Sequence, residues 1–284
     1  MKRVRIIPRL DIKGSNLVKG IHLEGLRVLG DPEKFAVKYY NEGADEIMYQ
    51  DVVASLYQRN SLLDQISKIN KKIFIPLIVG GGIRSIEDIK KTLRAGADKV
   101  VINTAAVKKP KFITEAAKIF GSSTIVVAIE MVKERNGKYY VFTDNGREKT
   151  GKEAFAWALE LEKRLAGELI FTFIDSEGTG DGLDVEFVEK ISKKINIPII
   201  VHGGISNTDN IINLFKNTEV SAVAIASMLH YNLLLKNRDN SLLSDKTGNH
   251  DFLISGKRYK NFGQYNLKDI KKKLLTKNFF SRSM

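Results

Sequence analysis

Residues 75–89 read IPLIVGGGIRSIEDI, and residues 197–211 read IPIIVHGGISNTDNI. One pattern is written twice: an apolar, β-branched run, a pair of glycines at the same place, and then a helical pattern. Between and around the copies, short apolar runs alternate with amphipathic ones. Strand patterns fall at RVRIIPRLD, EIMYQD, IFIPLIVGGG, ADKVVIN, STIVVAIE, ELIFTFID, IPIIV and SAVAIA. Apolar strands of this kind suit a parallel sheet buried on both faces. Helical patterns follow them, such as DPEKFAVKYYNEG, SIEDIKKTLRAG, GKEAFAWALELEKRLAG and NTDNIINLFKN. Ser85 is a cap at one helix start, and Gly96 ends that helix. GKYYVFTDNG reads as a short β-excursion before its helix.

Eight β/α units in a chain of 284 residues predict a closed (β/α)8 TIM barrel. The doubly wound alternative needs fewer strands and a glycine fingerprint after the first, which is missing. The glycine pairs end strands three and seven, half a barrel apart. The carboxylates repeat too: Asp11 ends strand one and Glu130 ends strand five. The chain reads as two half-barrels in tandem, and residues 1–284 as one barrel domain. A stretch of turn formers and mixed charge at about 236–263 interrupts it before a last helix, NLKDIKKKLLTK.

Glycine after a strand lets backbone approach a ligand closely, and a helix start just beyond makes an anion site. Gly203-Gly204 and Ala226-Ser227 would form one clamp, with Gly81-Gly82 and Asn103-Thr104 as its counterpart. The helix after each diglycine is expected one or two residues on. Facing clamps suit a molecule with a phosphate at each end, and Asp11 and Glu130 between them suit general acid and base roles. By period-two alternation Arg5, Ile7, Arg9 and Asp11 share the inward face of strand one. A buried Arg9 needs a partner, Asp11 or Glu130, whose pKa it would lower. Arg5 lies deeper, where Glu46, Lys99 and Glu168 begin strands two, four and six, so two cations and two anions are expected to ring the barrel floor.

The formal charge is +13. Lys and Arg are spread along the chain, which argues against nucleic acid and fits an anionic substrate. There is no cysteine, so disulfides, thiolate metal sites and a cysteine nucleophile are excluded. The four His residues lack ligand spacing, and no metal or cofactor is expected. With no apolar run near the ~18 residues of a membrane span and no signal-peptide pattern, the expectation is a cytoplasmic protein without membrane contact.

Taken in order, IIPRLDIK, LVKG, DEIMYQDVVAS, VGGGIRS, GADKVVINTAA, FGSSTIVVAIE, IDSEGTGDG, IPIIVHGGI and AIAS resemble the cyclase subunits of the imidazole glycerol phosphate synthase family. The likeness covers about residues 1–235 and the final helix. It implies a lyase of histidine biosynthesis that acts on a bis-phosphorylated ribulosyl aminoimidazole carboxamide. Ammonia would come through the barrel from a partner glutaminase on its floor. The resemblance implies Asp11 as principal acid/base group with residue 130 as its partner. It implies substrate and phosphate contacts at Lys19, Gly82, Asn103, Thr104 and Thr172, and at Gly178, Thr179, Gly203, Gly204, Ala226 and Ser227. Arg5, Glu46, Lys99 and Glu168 would form the ammonia gate.

Four positions depart from the family. Glu130 and Glu177 stand where it has aspartate, Arg9 where it usually has cysteine, and His202 where it has a small residue. An extra methylene moves a carboxylate by about 1.5 Å, and a shift near 1 Å can cost about 100-fold in rate. The departures resemble a paralogue branch that relays ammonia from a glutaminase to a sugar amidotransferase in surface-polysaccharide biosynthesis. That relay is the alternative to cyclisation. Another phosphosugar barrel, such as an isomerase, is a third reading, with no need for the floor ring.

Overall fold

A computed structural model describes residues 2–54, 62–236, 242 and 262–282. Eight parallel strands form its centre: Arg5–Lys13, Ile47–Asp51, Leu77–Gly80, Lys99–Ile102, Ile125–Lys133, Glu168–Phe173, Ile199–His202 and Ala222–Ile225. Each pairs with the next, and the eighth pairs with the first through Ala222↔Arg5 to Ile225↔Pro8, closing the barrel. Helices Pro32–Asn41, Leu63–Ile69, Ile86–Arg94, Lys111–Phe120, Ala154–Lys163, Val185–Ser192, Thr208–Asn217 and Leu267–Leu275 flank the strands. The predicted (β/α)8 architecture therefore holds. Among the described residues no helix is long and apolar enough to cross a membrane.

Alternation along the strands builds two cores. Ile6, Leu10 and Ile12 face outward and pack with the helices. Ile7, Met48, Ile78, Val101, Val126, Ile170 and Ile200 face inward and, with Ala128, Ala222 and Ala224, form an apolar layer inside the barrel. Helix starts are locally encoded. The Ser85 hydroxyl accepts from Asp88 N at 3.1 Å, and the Asp88 carboxylate accepts from Ser85 N at 3.0 Å, a reciprocal cap. Asn207 does the first half of this in the second copy, accepting from Asn210 N at 3.0 Å.

Three features differ from the sequence reading. The helices after the glycine pairs begin at Ile86 and Thr208, four residues beyond Gly82 and Gly204 rather than one or two. The helix starts that reach the mouth directly are Thr104–Lys108 and Ser227–Lys236, neither of which the pattern revealed. Ser227–Lys236 is buried at Met228, Leu229, His230, Asn232, Leu233 and Leu234, so it lacks the one-sided apolar stripe that signals a surface helix. Strands Asn16–Ile21 and Glu24–Gly30 form a hairpin on strand one, also unpredicted, whose turn uses His22 and Leu23 at positive φ. The expected excursion is present as strands Tyr139–Thr143 and Glu148–Glu153. Most of the expected insertion at 236–263 lies outside the described residues.

Candidate active site and floor ring

The floor carries the charge ring that the alternation predicted. Arg5 Nη1 donates to Glu46 Oε1 at 2.9 Å and Arg5 Nη2 to Glu168 Oε1. Lys99 Nζ donates to Glu46 Oε1 at 3.1 Å and to Glu168 Oε2 at 3.0 Å. Each cation thus bridges both anions, and the square closes across the barrel axis. Both carboxylates are buried, while Arg5 and Lys99 keep about a quarter and a fifth of their side-chain surface. Above the ring sits the apolar layer, and above that a second polar layer.

That upper layer is built from Arg9, Asp11, Glu130, Thr172, Glu177 and His202, all nearly inaccessible to solvent. Arg9 Nε donates to Asp11 Oδ1 at 2.8 Å and Arg9 Nη1 to Thr172 Oγ1 at 3.3 Å. Lys19, from the hairpin, lies 3.5 Å from Asp11 Oδ2 and donates to Glu177 Oε1. Leu23 N donates to the other Glu177 oxygen at 3.1 Å. Glu177 thereby fastens the hairpin over the barrel mouth. His202 Nδ1 meets Ala224 O at 3.0 Å, which makes Nδ1 the protonated nitrogen.

The two candidate acid/base carboxylates are driven apart. Burial alone would raise Asp11, but the Arg9 guanidinium and Lys19 outweigh it and hold Asp11 at about 2. Burial dominates at Glu130 and lifts it to about 7, although Arg9 and the Gly146 N–H oppose the rise. Gly146 N reaches Glu130 Oε2 at 3.0 Å. Asp144, Asn145 and Gly146 turn at positive φ, which is how the excursion aims this donor. The TDNG sequence signalled that turn but not its partner. Burial and Arg9 together keep His202 well below its ordinary value, so it is a neutral imidazole.

Gly82, Asn103 and Thr104 meet as predicted, in a cavity of about 290 Å³ that Glu130 also lines. Arg84, Lys108, Asp51 and Asp144 join them there, and none of these four was singled out by the sequence. Asn103 donates Nδ2 to Phe142 O at 3.3 Å, and its Oδ1 is buried with no protein partner among the described residues. Asp11 is not among the lining groups of this cavity. It is engaged by Arg9 and Lys19 instead.

Gly178, Gly203, Gly204, Ala226 and Ser227 also converge, with His202 and Glu177, around a much smaller space of about 20 Å³. The backbone repeat is close: φ is 104° and 73° at Gly81 and Gly82, and 108° and 79° at Gly203 and Gly204. Two predicted contacts are otherwise occupied. The Thr179 hydroxyl donates to Ser176 O at 2.9 Å, and Thr172 serves Arg9.

Gly204 is required twice over, by its φ and by crowding: an added Cβ would lie 1.8 Å from Gly182 O. Gly14 has φ 61° and open space around it. Gly204→Ala is therefore expected to cost on the order of 3 kcal/mol and Gly14→Ala about 1, which urea denaturation of the two variants will read directly.

Residues 5–234 match the histidine biosynthesis protein family. The chain is 51% identical over 209 residues to the imidazole glycerol phosphate synthase subunit HisF of Legionella pneumophila, a match covering 74% of this chain and 99% of that protein. It is 45% identical over 227 residues to the subunit of the same name from Bacillus cereus strain Q1, and 46% identical over the same length to that of strain G9842, each match covering 80% of this chain and 90% of the relative. A closed barrel whose clamps, carboxylates and floor ring all fall within the matched span belongs to the histidine biosynthesis protein family, alongside these HisF subunits.

Proposed function

We propose that this chain is a cyclase subunit of the imidazole glycerol phosphate synthase type. It uses glutaminase-derived ammonia on a bis-phosphorylated ribulosyl aminoimidazole carboxamide, giving imidazole glycerol phosphate and an aminoimidazole carboxamide ribotide. The observation that carries this reading is the stacking on one axis of a closed Arg5–Glu46–Lys99–Glu168 ring, an apolar throat and two carboxylates of divergent pKa. An isomerase has use for the carboxylates but none for the ring.

The chemistry follows from the layers. A glutaminase docked on the floor releases ammonia at the ring, where displacing Lys99 or Arg5 opens a path. Ile7, Met48, Ile78 and Val126 then favour neutral ammonia, because an ammonium ion loses hydration in an apolar throat. Ammonia adding to a ketose carbonyl must shed a proton from nitrogen, and the carbonyl oxygen must gain protons to leave as water. Glu130, half protonated near pH 7, is suited to donate and retake a proton. Asp11, ionised at all ordinary pH, stabilises the positive charge that develops as the imine forms. Its low basicity makes Glu130, rather than Asp11, the main proton carrier in the unliganded site. The cavity at Gly82, Asn103 and Thr104 takes one phosphate, and Gly203, Gly204, Ala226 and Ser227 take the other.

A histidine auxotroph lacking its own cyclase subunit, given this chain and its glutaminase, is expected to grow without histidine. Failure to grow with both proteins expressed and folded would contradict the cyclase reading. A specific observation favours the relay alternative: Arg9 occupies Asp11 at 2.8 Å, where an incoming substrate would need that carboxylate. On the relay reading the auxotroph fails to grow with either wild type or Arg9→Cys. On the cyclase reading wild type supports growth and Arg9→Cys supports it at least as well.

A further inference from the structure

The two clamps share a backbone but not an opening. The first faces about 290 Å³. The second encloses about 20 Å³, room for about one water and too little for a phosphate group. Phe262 lines the smaller space with His202, Gly178, Gly180, Gly203, Gly204 and Ser227, and among the described residues no aromatic ring lines the larger one. Its ring stacks on Tyr231 with centroids 5.9 Å apart and planes 13° from parallel. A Cβ on Gly180 would lie 3.0 Å from Phe262 Cε1, so glycine at 180 lets the ring settle against the loop. The ring is 5% exposed.

The chain is pinned beside it. Gly263 N donates to Ser206 O at 2.8 Å, and Ser206 is itself held by Asn210 at 3.1 Å. Beside the start of helix Pro32–Asn41, Leu242 O accepts from Asp31 N at 3.1 Å. Phe262 and Leu242 both lie outside the span that matches the family, residues 5–234.

We infer that Phe262 decides which anionic ends enter the second clamp. Its ring holds the clamp shut, and a ligand with a second phosphate must displace it from Tyr231 and Gly180. This inference rests on the two-clamp reading above. Displacing a buried aromatic ring from apolar contact lowers affinity by about tenfold or more, since apparent affinity scales with the fraction of molecules already open. A bis-phosphorylated ligand meets that cost, whereas an anion confined to the first clamp does not.

The test is calorimetric titration of the full chain and its Phe262→Leu and Phe262→Ala variants with the bis-phosphorylated ribulosyl aminoimidazole carboxamide. The expected result is tightening in the order Phe, Leu, Ala, by about tenfold or more at Ala, even though loss of the buried ring lowers the melting temperature in the same order. In parallel, inorganic phosphate is expected to bind wild type at one site and Phe262→Ala at two. Equal or weaker affinity in Phe262→Ala, or one phosphate site in both proteins, overturns the inference while leaving the two-clamp reading standing. Absence of bis-phosphate binding by wild type and both variants overturns the two-clamp reading and this inference with it.

Discussion

Glu130→Gln is expected to make the protein more stable at pH 8 while removing most of its turnover. The folded-state pKa of Glu130 is about 7, against an ordinary value of 4.5, because burial penalises its charge. Between those two pH values the folded chain holds a proton that the unfolded chain has released. Stability therefore falls as pH rises through this window. The accumulated loss at pH 8 is on the order of 3 kcal/mol. Glutamine is neutral throughout, and its amide oxygen can still accept from Gly146 N. The variant should match wild type near pH 4 and exceed it by up to about 3 kcal/mol at pH 8. Turnover with ammonium should drop by about 100- to 10,000-fold, the usual range for a lost general acid. Denaturation curves at both pH values, with turnover assays on the same samples, read both effects. A stability difference that is the same at pH 4 and pH 8 would mean that Glu130 is not a strained, proton-holding carboxyl.

Asp11 carries the opposite sign. Its pKa is held at about 2, so it contributes stability above the ordinary carboxylate range and loses it as pH falls through 2. The two carboxylates divide the pH axis between them, which is what an acid and its charged companion need.

Arg5→Ala should have a comparably large effect by a different route. Arg5 bridges Glu46 and Glu168, both buried. Without it, Lys99 alone must hold two carboxylates that face each other across the floor. Removing one member of a buried charge network typically costs 3–5 kcal/mol because the remaining charges are uncompensated. The partly exposed guanidinium places this variant near the low end, about 3 kcal/mol. Because the ring lies on the barrel axis between the proposed glutaminase face and the mouth, the functional consequence is selective. Turnover driven by glutamine through the partner should fall relative to glutamine hydrolysed, while turnover driven by added ammonium persists, measured below the melting temperature of the variant. Equal loss of both activities would reduce the ring to a structural plug.

Much of this was legible in the residues. The duplicated IPLIVGGG and IPIIVHGG stretches placed strands three and seven, and alternation along RVRIIPRLD put Arg5, Arg9 and Asp11 on one inward face. Period two is rigid, so a single well-placed strand determines which side chains meet across the barrel. What escaped detection depends on groups remote in sequence. The role of Gly146 rests on a backbone N–H, which has no residue-type signature. Helix Ser227–Lys236 is buried on nearly all sides, so its periodicity vanished. The closure of the second clamp depends on Phe262 folding back over glycines more than fifty residues earlier, a contact that no local pattern encodes. The helix starts farther from Gly82 than the glycines alone suggest because Ile83 and Arg84 extend the loop before the Ser85 cap.

The most direct measurement gives the purified chain ammonium and the bis-phosphorylated substrate, without any glutaminase, and follows substrate loss across pH. The account predicts turnover on the order of 1 per second, with a pH dependence that bends near 7 and loses that bend in Glu130→Gln. Tight binding of the substrate with no loss of it at any pH would contradict the account.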